Sequence, residues 1–306
     1  MQRHRILVTG SNGLIGQKLV QQLAADQNHE VLAISRNPSL LVPSNFTFQQ
    51  LDVSDFHALG MFVMEFRPNT IVNTAAMAQP NECEANQAEC WKVNVRSVEE
   101  LYTAANEVGA HFIQFSTDFV FDGVGAPYRE TDLPNPQSYY GMSKQVTEEY
   151  LSRSQGNWAV IRTIQVYGVA PQLSRPNLLH WVKGSLEKNQ PIRVVNDQFR
   201  MPTLAEDLVG ACVEMIRIKA QGIFHISGAE SMSIFEMALQ IADSFGLDAS
   251  LITPVSSTAL NELAKRPANT GFVLEKAQAE LNYSPQTFAA GLAFIKNQLK
   301  GFKDGV

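Results

Sequence analysis

Three glycines, Gly10, Gly13 and Gly16, stand at three-residue intervals between an apolar β-rich run at 5–9 and a stretch of helical periodicity at 14–25. Glycines so placed permit a tight turn out of a strand, let a ligand approach the backbone, and let the helix pack closely on the strand. The helix then begins with unpaired N–H groups and a favourable dipole, which together suit an anion. Glycines also serve plain turns, but the strand before and the helix after point to the anion site. The context predicts a dinucleotide pyrophosphate held by Gly10, Asn12, Gly13, Leu14, Ile15 and Gly16, although the spacing departs from the G-x-G-x-x-G form.

The rest of the first half repeats this alternation. Short β-rich runs occur at 5–9, 30–35, 47–51, 70–73, 111–116 and 158–163, with helical patterns between most of them, notably 14–25, 55–66 and a long one at 82–108. Alternation of this kind predicts right-handed crossovers and a doubly wound parallel sheet. Beyond Gly168 prolines punctuate shorter elements. Two capping boxes, Thr203 with Glu206 and Ser233 with Glu236, mark expected helix starts. A strand is expected at 222–227 and a last helix at about 288–299. The fold class is therefore α/β, with a dinucleotide-binding unit at 1–165. A smaller α/β portion follows at 166–306, mainly for substrate, with the elements at about 203–227 packing back on the first unit.

Composition narrows the partners. Hydrophobic residues make up 45% of the chain and charged residues 18%, which excludes disorder. The net charge of −6 argues against general nucleic-acid binding. Three cysteines, Cys83, Cys90 and Cys212, form no C-x-x-C pair, and six scattered histidines show no metal-ligand spacing. No metal site is expected. Neither a signal peptide nor an apolar run of about 18 residues is evident, so a cytoplasmic location without membrane contact is expected.

In open α/β sheets, ligands sit beyond the carboxyl ends of the strands. The second run ends in Ser35 and Arg36, where an acidic residue would favour NAD. A hydroxyl and a guanidinium suit a 2′-phosphate instead, so NADP is preferred and NAD remains possible. Asp52 and Val53 could meet the adenine edge, and Thr74, Ala75 and Ala76 leave room for a cofactor along the backbone.

Tyr140 and Lys144 lie four apart in a helical segment, on one face and about one turn from each other. An ammonium beside a phenol favours the phenolate and should lower its pKa. Such a tyrosine can protonate a carbonyl oxygen as hydride reaches the carbon. Tyr139 has no lysine one turn on. Thr117, leaving the fifth strand, can donate a hydrogen bond to the same oxygen.

Together these residues resemble the extended short-chain dehydrogenase/reductase family, and within it the dTDP-4-dehydrorhamnose reductases. The broad family is carried by Thr9 with the three glycines and by Tyr140 with Lys144. The subgroup is carried by the segments 116–123, 162–168, 197–203 and 266–270. The resemblance implies a Rossmann domain, a C-terminal substrate domain, NADP(H) or NAD(H) as hydride carrier and a nucleotide-sugar substrate, and it is compatible with a homodimer. It implies that Thr117, Tyr140 and Lys144 act in catalysis, with Lys144 also holding the nicotinamide ribose. Asp118, Phe119, Gln165, Arg200 and Arg266 fall in segments that should meet the sugar nucleotide. Three of these depart from the subgroup's pattern: Phe119 replaces a tyrosine, Gln165 a tryptophan and Arg200 a glycine. A lost phenol and a lost indole remove a donor and a stacking surface.

Reduction of a 4-keto nucleotide sugar is the function expected. A nucleotide-sugar epimerase is the enzymatic alternative. A dehydratase is disfavoured, because Phe119 cannot supply the acid which that subgroup carries after its Thr-Asp. A cofactor-binding regulatory subunit, like that of methionine adenosyltransferase, is the alternative from another class.

Overall fold

A computed structural model describes residues 3–42, 44–173 and 175–304. Strand β1 (His4–Thr9) leads through the glycine turn into helix α1 (Leu14–Ala24). Next come β2 (His29–Ser35), β3 (Phe46–Gln50), α2 (Phe56–Phe66) and β4 (Thr70–Asn73). The segment expected as one long helix is instead broken into α3 (Pro80–Ala85), α4 (Gln87–Trp91), a π turn (Lys92–Arg96) and α5 (Ser97–Glu107). Then follow β5 (His111–Thr117), α6 (Tyr139–Arg153) and β6 (Trp158–Thr163).

The second half holds β7 (Val166–Tyr167), α7 (Leu178–Leu186), β8 (Ile192–Val195), β9 (Phe199–Arg200) and β10 (Thr203–Leu204). After these come α8 (Ala205–Ile218), β11 (Gly222–Ile226), β12 (Met232–Ser233), α9 (Ile234–Phe245) and β13 (Ile252–Val255), with α10 (Glu275–Leu281) and α11 (Phe288–Asp304) last.

Seven strands form one sheet in the order β11-β6-β5-β4-β1-β2-β3. Every pairing is parallel. The order reverses between β1 and β4, and a crevice opens beyond their carboxyl ends. Apolar clusters cover both faces, which explains why β1, β4 and β6 read as continuous apolar runs. On one face α8 packs against α1, and Leu208, Cys212, Met215 and Phe224 join the same core as Ile6, Val8 and Leu19. The elements at 203–227 thus complete the sheet and one of its layers. A separate apolar cluster, with Tyr167, Val182, Met237, Ile241 and Leu292, lies in the second half.

One expected helix start is corrected. Ser233 caps α9 with a complete capping box, but Thr203 does not cap α8, whose N-cap is Leu204. Thr203 pairs with Val166 in a short ladder and its hydroxyl donates to the Ile164 carbonyl at 2.6 Å. Glu206 is drawn instead to Lys18 (2.5 Å) and Gln298 (2.8 Å). Tertiary partners displaced the local cap. Among the described residues no helix is long and apolar enough to cross a membrane.

Candidate functional site

The crevice is a cleft of about 710 Å³. Ile15, Thr74 and Ala76 line one side, and Phe115, Thr117, Asp118, Phe119, Tyr140 and Lys144 the centre. Gln165, Trp181, Arg193, Arg200 and Arg266 contribute from the second half. A second cleft of about 450 Å³, near Arg3, His29 and Phe46, opens at the amino ends of the strands, away from these residues.

At the first turn Gly10 adopts φ +65°, and a Cβ there would lie 2.6 Å from the Ala75 backbone nitrogen. A Cβ at Gly16 would lie 2.5 Å from the Gly10 carbonyl oxygen. Both glycines are therefore dictated by close backbone approach. Gly13 is extended and caps α1 without any side-chain hydrogen bond, leaving that helix end open to an anion. Asn12 holds the neighbouring loop: its amide donates to the Pro38 carbonyl (2.8 Å) and its oxygen accepts from Leu40 N–H (2.9 Å). The chain thus fits a dinucleotide, with Leu14, Ile15 and Gly16 supplying the first helical turn. Ser35 and the exposed Arg36 follow at the carboxyl end of β2. Asp52 accepts from Ser54 N–H within a turn, while Val53 is buried in the core.

A buried polar chain ties this turn to the lysine. Thr9 donates to Asn73, whose amide donates to Gln114 (2.7 Å). Gln114 in turn donates to the Phe115 carbonyl (2.7 Å), which also accepts from Lys144 Nζ (3.1 Å). Thr74 donates to the Thr9 carbonyl at 2.6 Å, locking the ends of β4 and β1 together. Nothing local in the sequence distinguishes Gln114 from any other strand glutamine.

Tyr140 and Lys144 share one face of α6, whose first turn is capped by Ser138. A Cβ at Gly141 would fall 2.1 Å from the Phe119 carbonyl oxygen, so the absence of a side chain there lets the helix press against the turn after β5. The Phe119 ring meets the Tyr140 ring edge-on at 5.8 Å. Asn94, on the π turn, donates to Ser143 (3.0 Å) and exchanges hydrogen bonds with the Met77 backbone. Widened turns of this kind recur at functional sites, and the sequence carried no sign of it. Cys83 and Cys90 are fully buried beside Tyr140.

The expected lowering of the tyrosine's pKa is corrected by the structure. Burial pushes the Tyr140 phenol well above its ordinary value, against the effect of a hydrogen bond with Thr117. Burial likewise brings Lys144 down to about 8. The burial that raises the phenol thus also weakens the ammonium that was expected to lower it.

Thr117 is held by the two residues that follow it. Its hydroxyl donates to Asp118 Oδ1 at 3.1 Å and accepts from Phe119 N–H at 3.2 Å. Asp118 is buried and accepts from Thr270 as well. Arg200 Nε lies 3.5 Å from Asp118, and the arginine's other nitrogens donate to the carbonyls of Phe199, Pro267 and Ala268. Arg266 pairs with Glu262 at the cleft wall. Gln165 lines the cleft with φ +38°, a left-handed conformation rare for a residue with a side chain.

Comparisons with known proteins agree with this architecture. The chain is 30% identical over 270 residues to methionine adenosyltransferase 2 subunit beta of Bos taurus, covering 87% of this chain and 79% of that one. It is 28% identical over 305 residues to dTDP-4-dehydrorhamnose reductase of Aggregatibacter actinomycetemcomitans, covering 95% and 98%. Its fold matches that of a dTDP-4-dehydrorhamnose reductase from Bacillus anthracis, solved in complex with NADP. That match has a TM-score of 0.85 at 24% identity, over 97% of this chain and all of the other. The profile of the RmlD substrate binding domain matches residues 4–300. A match of that length, with relatives of this similarity, makes the chain a member of the RmlD substrate binding domain family.

Proposed function

We propose that this protein reduces the keto group of a 4-keto nucleotide sugar, with NADP(H) as hydride carrier and NAD(H) as the less favoured one. The convergence of Thr117, Tyr140 and Lys144 beside the open end of α1 carries this reading. Gly10–Gly16 would hold the pyrophosphate, Ser35 and Arg36 the 2′-phosphate, Asp52 and Val53 the adenine side, and Thr74–Ala76 the passage between. Lys144 would hold the nicotinamide ribose. A cofactor held by these residues would supply the hydride for the keto carbon.

Tyr140 supplies the proton to the developing alkoxide. Its neutral phenol is the form that burial favours, so the donor is loaded at neutral pH. Lys144 stabilises the phenolate left behind. Asp118, Phe119, Gln165, Arg200 and Arg266, joined by Arg193, line the part of the cleft where the sugar nucleotide would lie. A division at about residue 165 into cofactor and substrate portions suits this reading, with α8 and β11 returning to the cofactor side.

Tyr140→Phe tests the assignment. Turnover should fall by about 10²-fold or more, the size of a general acid's contribution, while NADPH affinity by calorimetry stays within a factor of two or so. Reduction at the wild-type rate would refute it. The sugar is best sought by thermal shift with nucleotide sugars in the presence of NADPH, since a bound ligand raises apparent stability.

A second reading is favoured by the similarity to methionine adenosyltransferase 2 subunit beta: a cofactor-binding subunit without turnover. NADPH bound but never oxidised by any keto sugar nucleotide, together with capture of a partner enzyme, would favour it. An epimerase would retain its nicotinamide through purification in stoichiometric amount.

A further inference from the structure

Thr117 has one hydroxyl proton, and what receives it depends on groups far away in sequence. We propose that Arg200 and Asp118 form a positioning pair that fixes this proton in the resting cleft and governs how readily Tyr140 releases its own. The proposal takes its catalytic meaning from the reductase reading.

Arg200 is 3% exposed. Nη1 donates to the carbonyls of Phe199 (2.7 Å) and Ala268 (3.3 Å), and Nη2 to that of Pro267 (2.7 Å). Carbonyls satisfy hydrogen bonds but carry no net charge. Among the described residues Asp118 is the anion within ion-pair distance of this guanidinium. Burial pushes the Asp118 carboxyl up and the Arg200 guanidinium down, while their pairing and the donors Thr270 and Thr117 act the other way. A buried charge without a counterion is strongly destabilising, and we take the pair as Arg⁺ and Asp⁻. An ionised carboxylate only accepts. Asp118 therefore accepts from Thr270 at one oxygen and from Thr117 at the other. With its proton directed there, the Thr117 oxygen can accept from the Tyr140 phenol.

The balance shifts when Tyr140 reacts. Its O–H bond breaks and an O–H bond forms on the substrate oxygen. Thr117 keeps its proton but rotates to donate to the new phenolate, while Asp118 retains Arg200 and Thr270. The guanidinium also offsets the Asp118 charge, which would otherwise oppose a phenolate. The other groups facing Tyr140 are Lys144 on α6, Cys83 on α3 and Cys90 on α4, with Glu148 acting on Lys144. None of them changes in the variants below. Arg200 also lies over the Phe119 ring (5.8 Å), which in turn abuts Tyr140.

A fluorinated tyrosine of more acidic phenol, installed at position 140 in the full chain, reports ionisation directly by ¹⁹F NMR without any substrate. Arg200→Met should raise its titration midpoint by about one pH unit or more, the size of a close charge effect. Asp118→Asn should lower it by a similar amount. Arg200→Lys should leave it within a few tenths of a unit, and the double variant Arg200→Met/Asp118→Asn should return it towards wild type. Opposite shifts are not expected of a merely structural pair. Midpoints that stay together, or two single variants shifting the same way, would overturn the proposal. If Arg200→Met does not fold, Asp118→Asn and the double variant decide alone. Opposite shifts in a chain that reduces no keto sugar nucleotide would uphold the pair and remove the reductase reading. Unmoved midpoints in an active reductase would do the reverse.

Discussion

Burial, more than mutual contact, decides the protonation of Tyr140 and Lys144. Both side chains lie within the protein, and their environment favours the neutral form of each. For the lysine this has a consequence for stability. Its pKa falls from 10.5 in the unfolded chain to about 8 in the folded one. The stabilising contribution is complete above pH 10.5 and is lost as the pH falls through about 8, because the folded state then resists taking up the proton. At neutral pH this burial costs on the order of 3 kcal/mol. Lys144→Met should therefore raise the melting temperature at pH 7, and the advantage should shrink towards pH 10. A gain that grows with pH would contradict this account. The tyrosine–lysine spacing was legible in the sequence because four residues on a helix set one face. The link from Arg200 through Asp118 was not, since Thr270, which completes it, lies 152 residues from Asp118.

Elements formed as their sequences predict where local signals stood unopposed. The Ser233 hydroxyl accepts from Glu236 N–H at 3.1 Å and Glu236 reaches back to Ser233 N–H at 2.7 Å. Ser233→Ala should cost about 1 kcal/mol, measurable in urea. Thr203→Ala should cost stability for another reason, a buried Ile164 carbonyl left without its donor. The same four-residue signal thus marks a helix start in one place and a strand contact in the other. The region at 82–108 shows the limit of periodicity: its apolar positions continue in step, but Asn94 reaches the Met77 backbone from a widened turn. Hydrophobic spacing cannot register a side chain whose partner is a backbone group.

At the scale of the molecule, the sheet begun in the first half is incomplete without the second half. Strand β11 pairs with β6 along its length, from Gly222 opposite Ala159 to Ile226 opposite Thr163. Phe224 is fully buried in the cluster that also holds Ile6 and Val8. Phe224→Ala should destabilise the protein by about 3–5 kcal/mol, and calorimetry should show the 1–165 portion melting with it. A variant in which the first half keeps its wild-type melting temperature would show the two parts to be independent.

The strand order β11-β6-β5-β4-β1-β2-β3 came with the fold, whereas the alternation of β-rich runs with helical periodicity, the glycine turn and the helix bearing Tyr140 and Lys144 were all legible along the chain. Those features rest on periodicity and short spacings, which neighbouring residues impose on each other. Where Thr117 sends its proton, how burial acts on Tyr140 and Lys144, and what Arg200 holds all follow from long-range packing. Desolvation and ion pairing depend on groups brought together from β5, α6, β9 and the segment before α10, and no local pattern records that meeting.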